Sequence, residues 1–464
     1  MSSGSLRAGT LNVWVITFFV VSAAGPLVAM AGGIPVAMLF GNGAGIPAMF
    51  LTAMVILCLF SVGYTAMAQH VRNAGAFYAF AQEGLGVAAG GASGVVALLS
   101  YNALQIGMYG LFGTAVDALL SPLTGIHLAW WIYALAALVS IAFFGYRQID
   151  LSAKILGTLV AGEYLVVLLL DCGIIAQGGD NGLSLRPFQP GVFTSGSPWI
   201  GLMLCFSAFI GFEATTIYSE EAKDPARTIP RATYFSVFLI GTFYMVSTWA
   251  VVMGAGVDRL LPALKALPDP TQFLFLLSDR FMGPSTSAVM RVLFVTSVYA
   301  CMLAFHNAIA RYFFALGRDR VLPAKLARTH AEFQSPHIGS LLQTTIAGAS
   351  VLLFAAAGAD PVLTVFTVPS ALATLGVILL MATTAIAVLC FFRRRASIGW
   401  PTYSSIIVSI VALSAVVIFA VLHFDVLTGT NALGARLLPL TLLAAGAIGA
   451  RLAHKAGQGR LQAA

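Results

Sequence analysis

Residues 362–391 read VLTVFTVPSALATLGVILLMATTAIAVLCF, without one charged side chain. A helix of about 20 mostly apolar residues crosses a bilayer, so this run is long enough on its own. Twelve such runs occur, at 11–40, 45–69, 84–118, 127–146, 150–175, 196–218, 231–255, 286–316, 339–358, 362–391, 400–424 and 433–453. Only 9% of the 464 residues are charged and 59% are apolar, whereas soluble domains carry about 25% charged residues. A chain so poor in charge cannot cover its own surface in water. The sequence predicts an all-α polytopic membrane protein with twelve transmembrane helices, surrounded by the lipid bilayer.

Charge placement orients those spans. With the N-terminus in the cytoplasm, all of the 24 Lys and Arg residues except Arg186, Arg259, Lys265, Arg280, Arg291 and Arg436 fall in inside loops and termini. That is the positive-inside bias, and it places both termini in the cytoplasm. Trp14, Trp130, Trp131, Trp199 and Trp400 fall near span ends, where an interfacial aromatic belt belongs. The short loops suggest a prokaryotic cytoplasmic (inner) membrane.

The same distribution argues against nucleic acid as a partner, because the net charge of +7 is spread through short loops. The five cysteines, Cys58, Cys172, Cys205, Cys301 and Cys390, are scattered and mostly lie in apolar runs. They form neither a disulfide framework nor a metal motif. His127, His330 and His337 have no ligand partners at useful spacing, so no metal site is expected, and no cofactor. The run after Arg7 is too long for a signal-peptide core. No nucleotide-binding loop or nucleophile–base pair stands out, which argues against a pump or an enzyme. A tail of 13 residues after Arg451 leaves no appended soluble domain.

Two spans are interrupted. Span one contains SAAGPLVAMAGG, Ser22 to Gly33, and span six contains SAFIGFEA, Ser207 to Ala214. The breaks lie roughly 186 residues apart, from Gly25 to Gly211, as two successive five-span repeats would place them. A broken helix is tolerated in lipid only where it lines a cavity. Its freed N–H groups attract a carboxylate, and its freed carbonyls accept from an ammonium group or a cation. Glu213 then lies beside such a site, either as a functional carboxylate or as a tether for unwound backbone.

FSAFIGFEATTIYSEEAKDPARTIPRA, Phe206 to Ala232, resembles span six and the following loop of the amino acid–polyamine–organocation (APC) transporters. NAIARYFFALGRDRVLP, Asn307 to Pro323, resembles the end of their span eight, and RNAGAFYAFAQEGLG, Arg72 to Gly86, the approach to span three. The resemblance implies the LeuT-type fold: two inverted five-helix repeats (1–195 and 196–391) with spans one and six broken, plus two peripheral helices and a tail (392–464). It also implies alternating access and secondary transport of an amino acid or related organic amine.

On that alignment Glu163, deep in span five, stands where some proton-coupled relatives have a lysine. A buried carboxyl resists ionisation through desolvation, so it could bind and release a coupling proton; the alternative is a carboxyl bonded to a neighbouring helix. The family's sodium site takes hydroxyls from mid-span eight, where Ala300–Ala304 offers none, although Thr296 and Ser297 lie further back. Glu163 and Glu213 are therefore the candidate coupling groups. For the substrate backbone the candidates are Ala24, Gly25, Val28 and Ala29 in span one and Phe209, Ile210, Gly211 and Phe212 in span six. Tyr101 and Asn102 in span three join them, with Gln105 on the Tyr101 face; interhelical hydrogen bonds are the alternative reading for these. His306 is either a proton relay or a packed histidine. Pro369 with Ser370 suggests a further break in span ten. The loop SEEAKDPARTIPRA reads as a turn held from helix by Pro225 and Pro230, bracing an inner gate. The expected function is proton symport, with exchange of amines, sodium symport and a transporter-like sensor as alternatives.

Overall fold

A computed structural model describes residues 11–23, 25–71, 77–147, 153–213, 215–216, 222–332, 335–395, 398–428 and 436–463. The first half runs α1 (Val13–Ala23), α2 (Ile34–Phe40), α3 (Ile46–Ala68), α4 (Phe77–Leu85), α5 (Val87–Thr124), α6 (Trp130–Tyr146) and α7 (Ala153–Ala176). Next come α8 (Pro190–Phe193), α9 (Pro198–Phe206), α10 (Pro225–Ala255), α11 (Leu260–Lys265), α12 (Phe273–Met282) and α13 (Pro284–Arg318). The chain ends with α14 (His337–Ala356), α15 (Thr367–Arg395), α16 (Trp400–Leu422), α17 (Asp425–Thr428) and α18 (Leu440–Ala463). Among the described residues the extended pairing is a single bridge, Leu11 with Ala222.

Among the described residues eight helices, α3, α5, α7, α10, α13, α14, α15 and α16, are long and apolar enough to cross a bilayer. The described residues also hold three shorter apolar helical stretches, Val28–Phe40, α6 and Pro198–Phe209. The chain is an integral membrane protein. Its outward faces suit lipid: Leu165, Leu168 and Leu169 project from α7, and Trp14 and Trp400 at span ends are 67% and 75% exposed.

Without a hydrophobic drive between helices in lipid, small residues let backbones approach and pack. At Gly91 of α5 a Cβ would overlap the Gly449 carbonyl and Ala453 of α18. At Gly107 it would come within 2.7 Å of Ser370 Oγ on α15. These contacts make α5, 38 residues long, the post around which the later helices gather.

Two prolines expected to interrupt helices do not. Pro230 lies inside α10, which starts at Pro225. Its missing N–H falls near the helix start, where few backbone bonds are at stake. Pro369 lies inside α15, which continues a π-helical turn at Pro361–Phe366. Asp360 caps that turn, accepting from the Val362 and Leu363 N–H groups. In the loops that follow α7 and α10, Asp180 accepts from Arg259 at 3.0 Å and from Arg280, at the end of α12, at 3.1 Å. Arg186 grips Asp258 with two bonds of 2.9 and 3.0 Å, and this hydrogen bonding holds the Asp258 carboxyl below its ordinary range.

Candidate functional site

The first break falls between α1 and the π-helical turn Val28–Gly33. Gly25 takes φ +50°, a left-handed conformation glycine adopts freely, and Pro26 restarts the helix with its fixed φ. The restart leaves the Leu27 N–H without an intrahelical acceptor. Glu163 supplies one: its Oε2 lies 3.1 Å from Leu27 N and also accepts from Ser297 Oγ at 2.8 Å. One carboxyl, only 1% exposed, thus joins span five to the break in span one and to span eight.

The second break follows α9, which tightens into a 3₁₀ turn at Ser207–Phe209. Ile210 is extended and Gly211 takes φ +110°. Glu213 folds back on this segment, its Oε2 accepting from the Gly211 N–H at 2.8 Å. Its Oε1 accepts from the Tyr101 hydroxyl of α5 at 2.8 Å. Tyr64 of α3 donates to the Glu213 backbone carbonyl at 3.0 Å and lies 2.7 Å from Thr216 Oγ1. Sequence reasoning did not single out Tyr64, since nothing local distinguishes an aromatic residue whose hydroxyl reaches another span. The Lys223 N–H donates to the Leu11 carbonyl at 2.9 Å, tying the loop after span six to the start of span one.

Between the two breaks lies a cavity of about 60 Å³, lined by the five spans one, three, six, eight and ten. Val28, Ala29 and Ile210 line it, together with Ser207, Cys301 and Ser370. Ser370 Oγ is buried with no hydrogen-bond partner. The other candidates lie elsewhere. Gly25 abuts Cys301, whose Sγ would be 2.9 Å from a Cβ at that position. Phe209 packs on Phe50 of α3, and Phe212 on Phe60 and Tyr64; both rings are fully buried. Tyr101 packs between Phe305 and Tyr312 with its hydroxyl on Glu213. Asn102 lines a different, lateral cavity, and Gly211 forms the turn that Glu213 holds. Ala24 lies outside the described residues.

Gln105 acts between helices: its Nε2 lies 3.4 Å from the Met302 carbonyl, and its Oε1 accepts from Gln343 of α14. His306 Nε2 pairs with Ser340 Oγ of α14 at 2.8 Å. Ser297, weighed from sequence only as a sodium-type hydroxyl, is a partner of Glu163.

A broken helix in each half, a carboxyl bonded at each break and a small cavity between them form a transporter-like arrangement. The amino acid permease family pattern matches residues 11–445. The chain is 23% identical to the low-affinity putrescine importer PlaP of Escherichia coli (strain K12), over 65% of this chain and 66% of that protein. It is 27% identical to the branched-chain amino acid permease BcaP of Bacillus subtilis (strain 168), over 64% of this chain and 65% of BcaP. A gamma-aminobutyric acid permease of Escherichia coli (strain K12) is 27% identical over 36% of this chain and 34% of its own length. The chain thus spans just under two thirds of the first two relatives' lengths. With the family pattern running through nearly all of its helices, the chain belongs to the amino acid permease family, among the APC transporters that its motifs resemble.

Proposed function

We propose that the chain is a secondary active transporter, not an enzyme, moving an amino acid or related organic amine by alternating access with proton symport. The observation that carries this reading is the Glu163 carboxyl, shared between the Leu27 N–H at the break and Ser297 of span eight. Adding or removing its proton changes the joint between three spans, which is what coupling requires. Relatives named for putrescine, branched-chain amino acids and gamma-aminobutyric acid support the substrate class.

In this reading the twelve spans are the eight long helices, the three shorter apolar stretches and α18. Residues 1–195 and 196–391 are inverted repeats of LeuT type, supported by a break first in each half. Residues 392–464 add two peripheral helices and a tail. The protein lies in a prokaryotic cytoplasmic membrane with both termini inside. The substrate's backbone meets the unwound segments at Val28, Ala29 and Ile210, with Ser370 as a further polar contact. At about 60 Å³ the cavity has room for one or two waters, so an amino acid enters only when spans one and six move apart. Glu213 holds the unwound segment of span six for that movement.

The test is radiolabelled uptake into proteoliposomes, screening amino acids and amines under an imposed pH gradient and then a sodium gradient. Glu163→Gln runs beside the wild type. A pH gradient drives accumulation in the wild type alone, while the variant still exchanges internal for external substrate. Uptake that requires internal substrate in the wild type makes the protein an exchanger and removes the coupling role from Glu163.

A further inference from the structure

A second cavity, larger than the one between the breaks, opens elsewhere in the helix bundle. It has a volume of about 810 Å³ and lies between α5, α13, α14, α15 and α18. Its lining includes Leu99 and Ala103 of α5, Ile346 of α14, Leu372 of α15 and Ala445 and Ile448 of α18. Among the described residues Asn102 and Thr364 are its polar side chains, and the Asn102 amide is turned onto its own helix, donating to the Leu98 carbonyl at 2.8 Å. Ile448 on its rim is 55% exposed, so the cavity opens to the surroundings of the helices.

Those surroundings are hydrocarbon. Water gains little in a chamber with two polar groups on its walls, and a void in lipid forfeits the dispersion contacts of its lining. The cavity's extent fits one particular filler. It runs from Val95 to Ile106 along α5, and from Leu438, in the turn before α18, to Ile448 within that helix. At 1.5 Å per residue the α5 stretch is about 16 Å long, roughly half of a hydrocarbon core of about 30 Å. That is the depth of one leaflet.

Charge selects the head. Arg451 and Lys455 follow Ile448 by three and seven residues on α18, which keeps all three on one helix face. Both are exposed, at the end of the cavity where Gly91 and Gly449 draw α5 and α18 together. Basic side chains at a membrane interface attract anionic lipid headgroups.

We propose that this cavity is a lipid site, holding one acyl chain of an anionic phospholipid whose headgroup sits at Arg451 and Lys455. The inference is independent of the transported substrate and of the coupling ion. Its test is native mass spectrometry of the full chain, reconstituted with phosphatidylglycerol and phosphatidylcholine and re-extracted in mild detergent. The wild type keeps one phospholipid, with phosphatidylglycerol preferred. Ala103→Phe and Ala445→Phe, which fill the cavity, lose it. Arg451→Gln and Lys455→Gln keep a lipid, but the preference for phosphatidylglycerol falls about fivefold per charge removed. Equal lipid retention by the filled variants overturns the proposal, as does a wild type that keeps none. Loss of a dimer in place of a lipid also overturns it and makes the face a contact between copies. Should the filled variants fail to fold, an unchanged lipid preference in the two α18 variants overturns it alone.

Discussion

Gly25→Ala tests where span one breaks. Gly25 takes φ +50°, and a non-glycine residue in the left-handed region is destabilised by about 1–2 kcal/mol. The new Cβ would also sit 2.9 Å from Cys301 Sγ and 3.3 Å from Val28 Cβ, closer than ordinary packing allows. Relieving such overpacking costs about 1–3 kcal/mol, so the variant loses about 2–5 kcal/mol in all. Cys301→Ala alone removes one buried sulfur, worth about 1 kcal/mol by its apolar area. In the double variant the 2.9 Å clash with the sulfur is gone, while the 3.3 Å contact with Val28 and the backbone strain remain. A double-mutant cycle by reversible unfolding in mixed micelles should therefore return a coupling of about 1–3 kcal/mol, the double variant being more stable than the sum of the singles predicts. Distant sites add to within about 0.5 kcal/mol. Additivity at that level would mean that Gly25 does not face Cys301, and the turn would have to lie elsewhere in the span.

Tyr101→Phe removes the donor to Glu213 Oε1; interhelical hydrogen bonds in membranes average about 0.6 kcal/mol and reach about 1.7. Thermal unfolding in detergent should show a loss in that range, and a variant as stable as the wild type refutes the bond. Ser297→Ala takes one of the two donors from Glu163, worth about 1 kcal/mol. Gradient-driven uptake should fall about fivefold, with Ser297→Thr restoring it; equal rates in all three proteins sink the assignment. Asp180→Asn loses its pairing with Arg259 and Arg280, in which Asp180 is the buried partner. Charge-assisted bonds contribute about 1.5–3 kcal/mol, so amide exchange across 256–282 should quicken by roughly 10- to 150-fold. Unchanged protection there would show that those pairs do not hold the loops around Asp180.

What could be read from sequence divides by distance along the chain. The membrane environment follows from the scarcity of charge, because every apolar run reports on it independently. The bond from the Gly211 N–H to Glu213 spans two residues, so a glycine and a carboxyl side by side in an apolar run were enough to suggest it. The partners of Glu163 lie 134 and 136 residues away, and no local pattern names them. Phe209 and Phe212 show the opposite limit: proximity to the break made both candidates for the cavity, but the side chains turn toward α3. Pro230 and Pro369 read as stops because proline ends helices in water. In a packed membrane bundle a lost backbone bond near a helix start is replaced by neighbours, so the helices run through.

The two carboxyls stand in different relations to the breaks they serve. Glu213 lies on the broken span itself, and its bond to the Gly211 N–H moves with that span. Its protonation therefore bears first on the shape of span six. Glu163 reaches the break from outside, from span five, and holds the Leu27 N–H and Ser297 with one oxygen. Any motion that separates span one from spans five and eight must break or remake those bonds. A proton on Glu163 weakens its pull on both donors at once, since hydrogen bonds to a charged group are about twice as strong as neutral ones. Glu213 ties span six to span three through the Tyr101 hydroxyl, whereas Glu163 holds the break of span one and span eight through a single oxygen. That difference is why the coupling role is proposed for Glu163 ahead of Glu213, although both are buried and both sit at a break.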